Sequence, residues 1–329
     1  MRREDAFSLS LTHRGQGERA HLLHVLQLIH SSPFTLHAPP AMSRLGIFLL
    51  WLLHFLPLPA LAPIGSALGT LIYHLVPRRR RIASVNVNLC FPELSQLERE
   101  RLVRRHFRSF GRAIVDSGVA WWGTPRRLRR VVRLEGAEHI EGSAQQPVLA
   151  LAPHFVGLEL IGQRLAMQYR GASVYQRQKD RVLNAFLKRK RERFPGTRLF
   201  ARQEGIKPIL RALRDGQPVM LYPDMDLGPR DSLFVPFFGV PAATVTAVAR
   251  ICGVSGARVV PAVVRQLPAG RGYIARIYPP WDHYPSGSAE RDARRMNAFI
   301  EERIREMPEQ YLWTHRRFKT RPAGEPSRY

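Results

Sequence analysis

The sequence predicts an α/β fold, a mixed central sheet flanked by helices, with a hydrophobic membrane-anchor helix near its N-terminus. Three observations predict it. From residue 148 onward, short apolar runs alternate with segments at helical spacing, as in strands connected by crossover helices. Ahead of them, Leu45 to Val76 holds no acidic or basic residue and runs straight into Arg78 to Arg81. The composition, 45% hydrophobic and 23% charged over 329 residues, is that of a folded chain long enough to bury a full core.

Residues 1–41 carry scattered histidines and no sustained period, and read as an irregular leader. The stretch from Met42, "MSRLGIFLLWLLHFLPLPALAPIGSALGTLIYHLVPRRRR", begins like a protein in its own right, so the native start is expected at Met42. Residues 42–81 then form an anchor plus basic flank, and 82–329 the main domain. An uncharged run of this length is enough to cross the ~30 Å hydrocarbon layer, which takes ~20 helical residues. Pro57, Pro59 and Pro63 break it, so a kinked transmembrane anchor and a membrane-lying hairpin both fit, beside a buried helix pair. The arginines that follow favour cytoplasmic placement of everything downstream.

Beyond the anchor, "ERERLVRRHFRSFGRAIVDSGVAWW" (98–122) places Leu102, Phe107, Phe110 and Ile114 on one helical face. Residues 131–141 read as a strand and turn. Strands follow in "VLALA", "ASVYQRQ", "TRLFAR" and "PVMLYPDMD", with helices in "DRVLNAFLKRKRERF", "GIKPILRALRDG" and "TVTAVARICG" between or after them. Two strands, "ARVVPAVVRQ" and "GYIARIYPP", flank a Pro-Ala-Gly turn, and a last helix spans about 290–307.

The charge balance, 51 basic against 26 acidic residues and a net +25, draws anionic partners without choosing among them. A nucleic-acid binder of this charge would interleave basic residues with stacking aromatics or show a reading helix, and neither is present. Cys90 and Cys252 supply neither a disulfide framework nor a metal-ligand spacing, which points to a reducing compartment. Nucleophile elbows, phosphate-binding loops, dinucleotide fingerprints and His-Glu-x-x-His are all missing, so no cofactor and no metal is expected.

What remains is His154, at a strand-to-helix junction, and Glu159 five residues on, in "APHFVGLELIGQRLA". On a continuous helix these side chains stand ~140° apart. They meet only if His154 lies in the turn before the helix, a bend that Pro153 and Gly157 permit. Read so, the pair is a general-base dyad in which the carboxylate fixes the imidazole tautomer and the ring takes a proton from a hydroxyl.

"PHFVGLEL" resembles the H-x-x-x-x-D/E motif of the glycerolipid and lipid A acyltransferases. The block "YPDMDLGPRDSLFVPFFGVPAAT" (222–244) and the ending "PEQYLWTHRRFKTRPAGEPSRY" are similar to the bacterial lipid A biosynthesis acyltransferases, with the Kdo(2)-lipid IV(A) lauroyl type the closest in pattern. The resemblance runs from about Leu45 to Tyr329. It implies an acyltransferase-like fold and a cofactor-free O-acyltransferase at the bacterial inner membrane, with its catalytic domain on the cytoplasmic side. The donor implied is the thioester of an acidic acyl carrier protein, and the acceptor a phosphorylated, Kdo-bearing lipid A precursor. Its implied chemistry is direct transfer, with His154 as base and Glu159 holding the ring. Arg191 and Asp224 fall where similar family members carry functional arginine and aspartate, as oxyanion, phosphate or substrate contacts, with Asp226 a rival to Asp224. Phe234 to Gly239 read as an apolar loop, either groove border or core. "HRRFKTRP" (315–322) and "TPRRLRR" (124–130) are candidate surfaces for lipid phosphate or the carrier protein, or solvated basic segments. Transferases for other lipids and a non-catalytic membrane protein stay open as alternatives.

Overall fold

The computed structural model describes residues 40–230 and 232–329, so the leader as far as residue 39 lies outside the described residues. Helix α1 (Pro40–Leu53) and helix α2 (Leu58–Leu75) are separated by the turn at Pro57. Helix α3 (Pro77–Cys90) starts on the basic flank and runs without a break past residue 82, so the arginines belong to a helix continuous with the main domain. Helix α4 (Gln96–Trp122) opens on a capping box in which Ser95 and Glu98 satisfy each other's backbone N–H groups.

The two apolar helices differ in surroundings. Helix α2 crosses α4 with their backbones touching: a Cβ on Gly111 would lie 2.3 Å from the Gly69 nitrogen, so only glycine permits this approach. About a third of α2, the described helix long and apolar enough to span a bilayer, is buried in this way. Helix α1 instead shows Leu45, Phe48, Leu49 and Leu52 to the outside, each between 47% and 58% exposed.

After α5 (Pro125–Val131) the chain enters the sheet. Its strands are β1 (Val132–Glu135), β2 (Val148–Leu151), β3 (Ala172–Tyr175), β4 (Arg198–Ala201), β5 (Val219–Leu221), β8 (Arg258–Gln266) and β9 (Tyr273–Ile277). Among the described residues they form one sheet in the order β1-β9-β8-β2-β5-β3-β4. All neighbours are parallel except the β8–β9 pair, which is antiparallel around the Pro268–Gly270 turn. Strands β2 and β5, at the centre, read "VLAL" and "VML" and are buried throughout, as expected for parallel strands covered on both faces. The covers include α6 (Leu158–Ala166), α7 (Arg181–Arg191), α8 (Lys207–Arg214), α9 (Ala247–Ser255) and α10 (Ala289–Glu306).

One expected loop is not a loop. Residues 232–245 form an antiparallel hairpin, β6 (Ser232–Phe237) and β7 (Val240–Val245), turning through Phe238 and Gly239. Both turn residues have positive φ, 51° and 75°, the geometry of a two-residue hairpin turn. Phe238 tolerates it because its ring is held against Phe91, Phe237 and the Arg305 guanidinium.

Candidate active site

The centre of the site is built by strand register. In the parallel β2–β5 pair, Ala150 faces Met220 and Leu151 faces Leu221, an offset that continues as Ala152 N–H donates to the Leu221 carbonyl. Extending it two residues further sets His154 beside Asp224. There the Asp224 carboxylate takes a 2.8 Å hydrogen bond from the His154 backbone N–H and lies 2.6 Å from its Nδ1. Both side chains are buried and sit just past the C-terminal ends of central strands, where sites of open α/β sheets gather.

The C-terminal segment closes over this junction. Val156 N–H donates to the Gln310 carbonyl, Leu312 N–H donates to the His154 carbonyl, and Phe155 bridges to Tyr311 as a short antiparallel pair. The His315 ring stands 6.1 Å from the His154 ring, and the Tyr222 ring 5.4 Å from it. Burial pushes His315 down to about 3; Asp224 opposes that shift while His154 and Arg317 add to it, so the ring is neutral near pH 7. Burial alone would raise Asp224, but the charge of His154 and its hydrogen bonds outweigh it and hold the carboxyl well below the usual carboxylate range.

Glu159 is the second residue of α6, whose start is set by Gly157 with φ of 93°. A Cβ there would lie 2.7 Å from Tyr273 Cε1, so the tight entry into α6 requires glycine. The carboxylate accepts hydrogen bonds from Arg191 Nε at 2.9 Å and from Trp121 Nε1 at 3.1 Å, with Arg191 Nη2 as a further donor. Burial raises the Glu159 carboxyl, but Arg191 and Trp121 reverse the sign and keep it below its ordinary value. The expected contact between Glu159 and the His154 imidazole is therefore corrected: Asp224 holds the ring, and Glu159 holds Arg191. The cause is the helix, which points position 159 toward the ends of α4 and α7, whereas strand register delivers Asp224. The reading of Asp224 as an oxyanion, phosphate or substrate contact is corrected with it, since both of its carboxylate oxygens face His154.

His154, Glu159 and Arg191 border one cavity of about 210 Å³. Its walls also include Ile140, Leu165, Val174 and Met220, Gly162 of α6, and the polar Ser173, Gln176 and Thr197. The lining is thus mostly apolar, with charged groups and a few neutral polar side chains, a make-up that suits a hydrocarbon chain carrying a polar end. Among the described residues no group of three or more histidine, cysteine or acidic side chains is placed to hold a metal ion.

The other expected positions separate. Asp226 accepts from Gly228 N–H, Thr320 N–H and Thr320 Oγ1, fastening the C-terminal segment rather than facing the cavity. The basic run 315–322 is divided: Arg317 is 1% exposed and donates to the Ala243 carbonyl, Thr244 and Asn297. Arg316 and Lys319 stay at the surface. Phe237 and Phe238 are core residues, not cavity wall. Reasoning from sequence missed Tyr222, Trp121 and His315, and it missed the role of Asp224. A signal for Asp224 was there: "LALAPH" and "VMLYPD" are both buried strands ending in proline and a polar residue, and parallel neighbours place such ends side by side.

The molecule is thus an α/β protein with a buried histidine–aspartate pair past the ends of its central strands, the histidine bordering a mostly apolar cavity. Residues 30–320 match the family described as bacterial lipid A biosynthesis acyltransferase, and the chain belongs to that family. It is an acyltransferase of lipid A biosynthesis, as the two long sequence blocks implied. It is 40% identical to the lipid A biosynthesis lauroyltransferase of Escherichia coli (strain K12) over 297 residues, 89% of this chain and 96% of that one. Identity is 34% to the palmitoleoyltransferase of the same strain, over the same shares of the two chains. It is 33% to that strain's myristoyltransferase, over 81% of this chain and 83% of the other. The crystal structure of the 1-acyl-sn-glycerophosphate (LPA) acyltransferase PlsC from Thermotoga maritima aligns with TM-score 0.36 and 17% identity, over 74% of this chain and 97% of that one.

Proposed function

We propose that the protein transfers a fatty acyl chain from an acyl-carrier-protein thioester to a hydroxyl of a Kdo-bearing lipid A precursor, at the cytoplasmic face of the inner membrane. The observation that carries this reading is a buried imidazole, keyed through Nδ1 to Asp224, at the charged end of an apolar cavity. With Nδ1 fixed, Nε2 is the nitrogen that exchanges a proton with substrate.

As the acceptor oxygen attacks the thioester carbonyl, its proton passes to His154 Nε2, and Asp224 stabilises the imidazolium formed. The tetrahedral oxyanion is stabilised by the positive charge of Arg191, which Glu159 holds against the cavity wall. Collapse re-forms the carbonyl and expels the carrier's thiol as thiolate. With a reference pKa of ~8.5 it leaves without a strong acid, and the imidazolium then returns the proton to it. The transferred hydrocarbon lies along Leu165, Val174 and Met220. A base so positioned contributes roughly 10²- to 10⁴-fold.

The test is a transfer assay with purified membranes, Kdo-bearing precursor and carrier proteins loaded with chains of different length, comparing wild type with His154→Ala. Transfer should fall by about 10³-fold or more. Activity within tenfold of wild type would remove His154 from the chemistry, and transfer to glycerol phosphate lipids in preference to the precursor would replace the acceptor.

A further inference from the structure

The turn between α1 and α2 borders a second cleft that the reaction above does not use. It is an open hollow of about 500 Å³ edged by Phe55 and Pro59 from that turn, by Arg126, Arg127 and Arg130 from α5, and by Arg271 from the β8–β9 turn. No carboxylate borders it. Three segments far apart in sequence are fastened together to make it. Arg127 donates to the carbonyls of His54 and Leu56, which commits its guanidinium to holding the turn. The β8–β9 turn packs directly on the first residue of α2, where a Cβ on Gly270 would lie 2.3 Å from the Leu58 carbonyl oxygen. Arg126, Arg130 and Arg271 remain exposed around the hollow.

The surroundings say what it faces. The exposed stripe of α1, Leu45, Phe48, Leu49 and Leu52, runs into Phe55, which is 61% exposed at the cleft's edge. At the other end of the helix stands Arg44, also exposed. A helix of 14 residues is ~21 Å long, short of the ~30 Å hydrocarbon layer. An apolar stripe bounded by cations at both ends suits a helix lying in the interface, which sets the cleft at headgroup depth.

We propose that this cleft binds the phosphate of an anionic membrane phospholipid among Arg126, Arg130 and Arg271, with the lipid's chains along Phe55 and the outer face of α1. The inference rests on the membrane-associated reading of α1 and is independent of the transfer reaction. Its test is flotation of the full-length protein on vesicles of phosphatidylcholine alone, with phosphatidylglycerol, or with the phosphorylated lipid A precursor. In the variant R126Q/R130Q/R271Q, the preference for phosphatidylglycerol vesicles should fall about 100-fold, the equivalent of about 1 kcal/mol for each basic residue near an anionic surface. The control K207Q/R211Q/R214Q removes equal charge from α8 and should change that preference by less than about fivefold. Equal losses in both variants, or wild-type binding by the first, would overturn the site. Loss confined to precursor-bearing vesicles would assign the cleft to the acceptor and overturn the phospholipid. Flotation does not depend on turnover, so its result stands even if the proposed reaction fails.

Discussion

Two carboxylates, the buried Asp224 and the half-buried Glu159, hold different partners beside the cavity. Asp224 leaves a central strand whose neighbour in the ladder carries His154, so backbone register fixes the pair before any side chain chooses a rotamer. Glu159 leaves a helix, and its partner Arg191 comes from the last residue of another helix. The first pair is thus as rigid as the sheet, which suits holding an imidazole in one tautomer. The second depends on how α6 and α7 pack, and it fixes a guanidinium at the cavity wall. A ring that must accept a proton on one nitrogen is best mounted on the stiffer element.

The comparison breaks most sharply at Asp224. Asp224→Asn keeps the shape but no longer stabilises an imidazolium, and kcat should fall by about 10³- to 10⁴-fold with the acceptor KM nearly unchanged. A fall under tenfold would show that register, not charge, is what the aspartate supplies. At the second pair, Glu159→Gln leaves the half-buried Arg191 without a counter-charge, which should destabilise the fold by about 1–3 kcal/mol and also reduce transfer. The double change Glu159→Leu with Arg191→Met removes both charges; thermal stability in detergent should largely return while transfer stays depressed. If transfer returns as well, the pair is structural and the oxyanion needs another partner.

The same contrast explains what was legible in the sequence. Buried strands such as "VLAL" and "VML" and the amphipathic α4 announce themselves through period and composition, because one face or both must leave water. His154 was legible as a candidate by its place at a strand end. The imidazole's partner was not, because spacing along one chain favours Glu159, whereas Asp224 is 70 residues away and adjacent only through sheet order. The β6–β7 hairpin was hidden by Pro236 and Pro241, which demote a run from strand to loop; here they face each other across the ladder of an isolated two-stranded ribbon. The C-terminal basic run misleads for a related reason. Charge suggests solvent, yet Arg317 is buried because the Ala243 carbonyl, Thr244 and Asn297 accept its N–H groups.

A smaller effect sharpens the division between the charged end of the cavity and its apolar depth. Gly162 lines the cavity, and a Cβ there meets nothing within 4 Å. Gly162→Leu should therefore fill space that a long chain occupies and leave His154 and Arg191 undisturbed. Each methylene excluded is worth roughly 10- to 200-fold in discrimination, so kcat/KM for long-chain donors should drop by at least about tenfold while shorter donors are spared. An equal loss for every chain length would mean that the substitution disturbs α6 rather than the pocket.

The smallest effect concerns acid, and it sets His315 with two buried groups of α4, His106 and Asp116. His315, beside the first pair, is pushed down to about 3 chiefly by burial, and burial lowers His106 to about 4 against a hydrogen bond to the Glu309 carbonyl. Asp116 goes the other way: burial raises it to about 6, opposed by the hydrogen bond from Tyr273. Between pH 6 and pH 4 the unfolded chain takes up two protons on the histidines that the folded chain refuses. Over the same range the folded chain takes up one on Asp116 that the unfolded chain holds only nearer its ordinary pKa. These three groups leave one proton more on the unfolded side, and the lowered carboxyls of Asp224 and Glu159 add to the same sign, so stability should fall by at least about 1.4 kcal/mol per pH unit as the medium is acidified. Thermal unfolding in detergent across this range measures it. His315→Asn removes one of the destabilising protons and should lower the slope by about 1.4 kcal/mol per pH unit; an unchanged slope would mean that the folded protein accepts a proton on His315 after all.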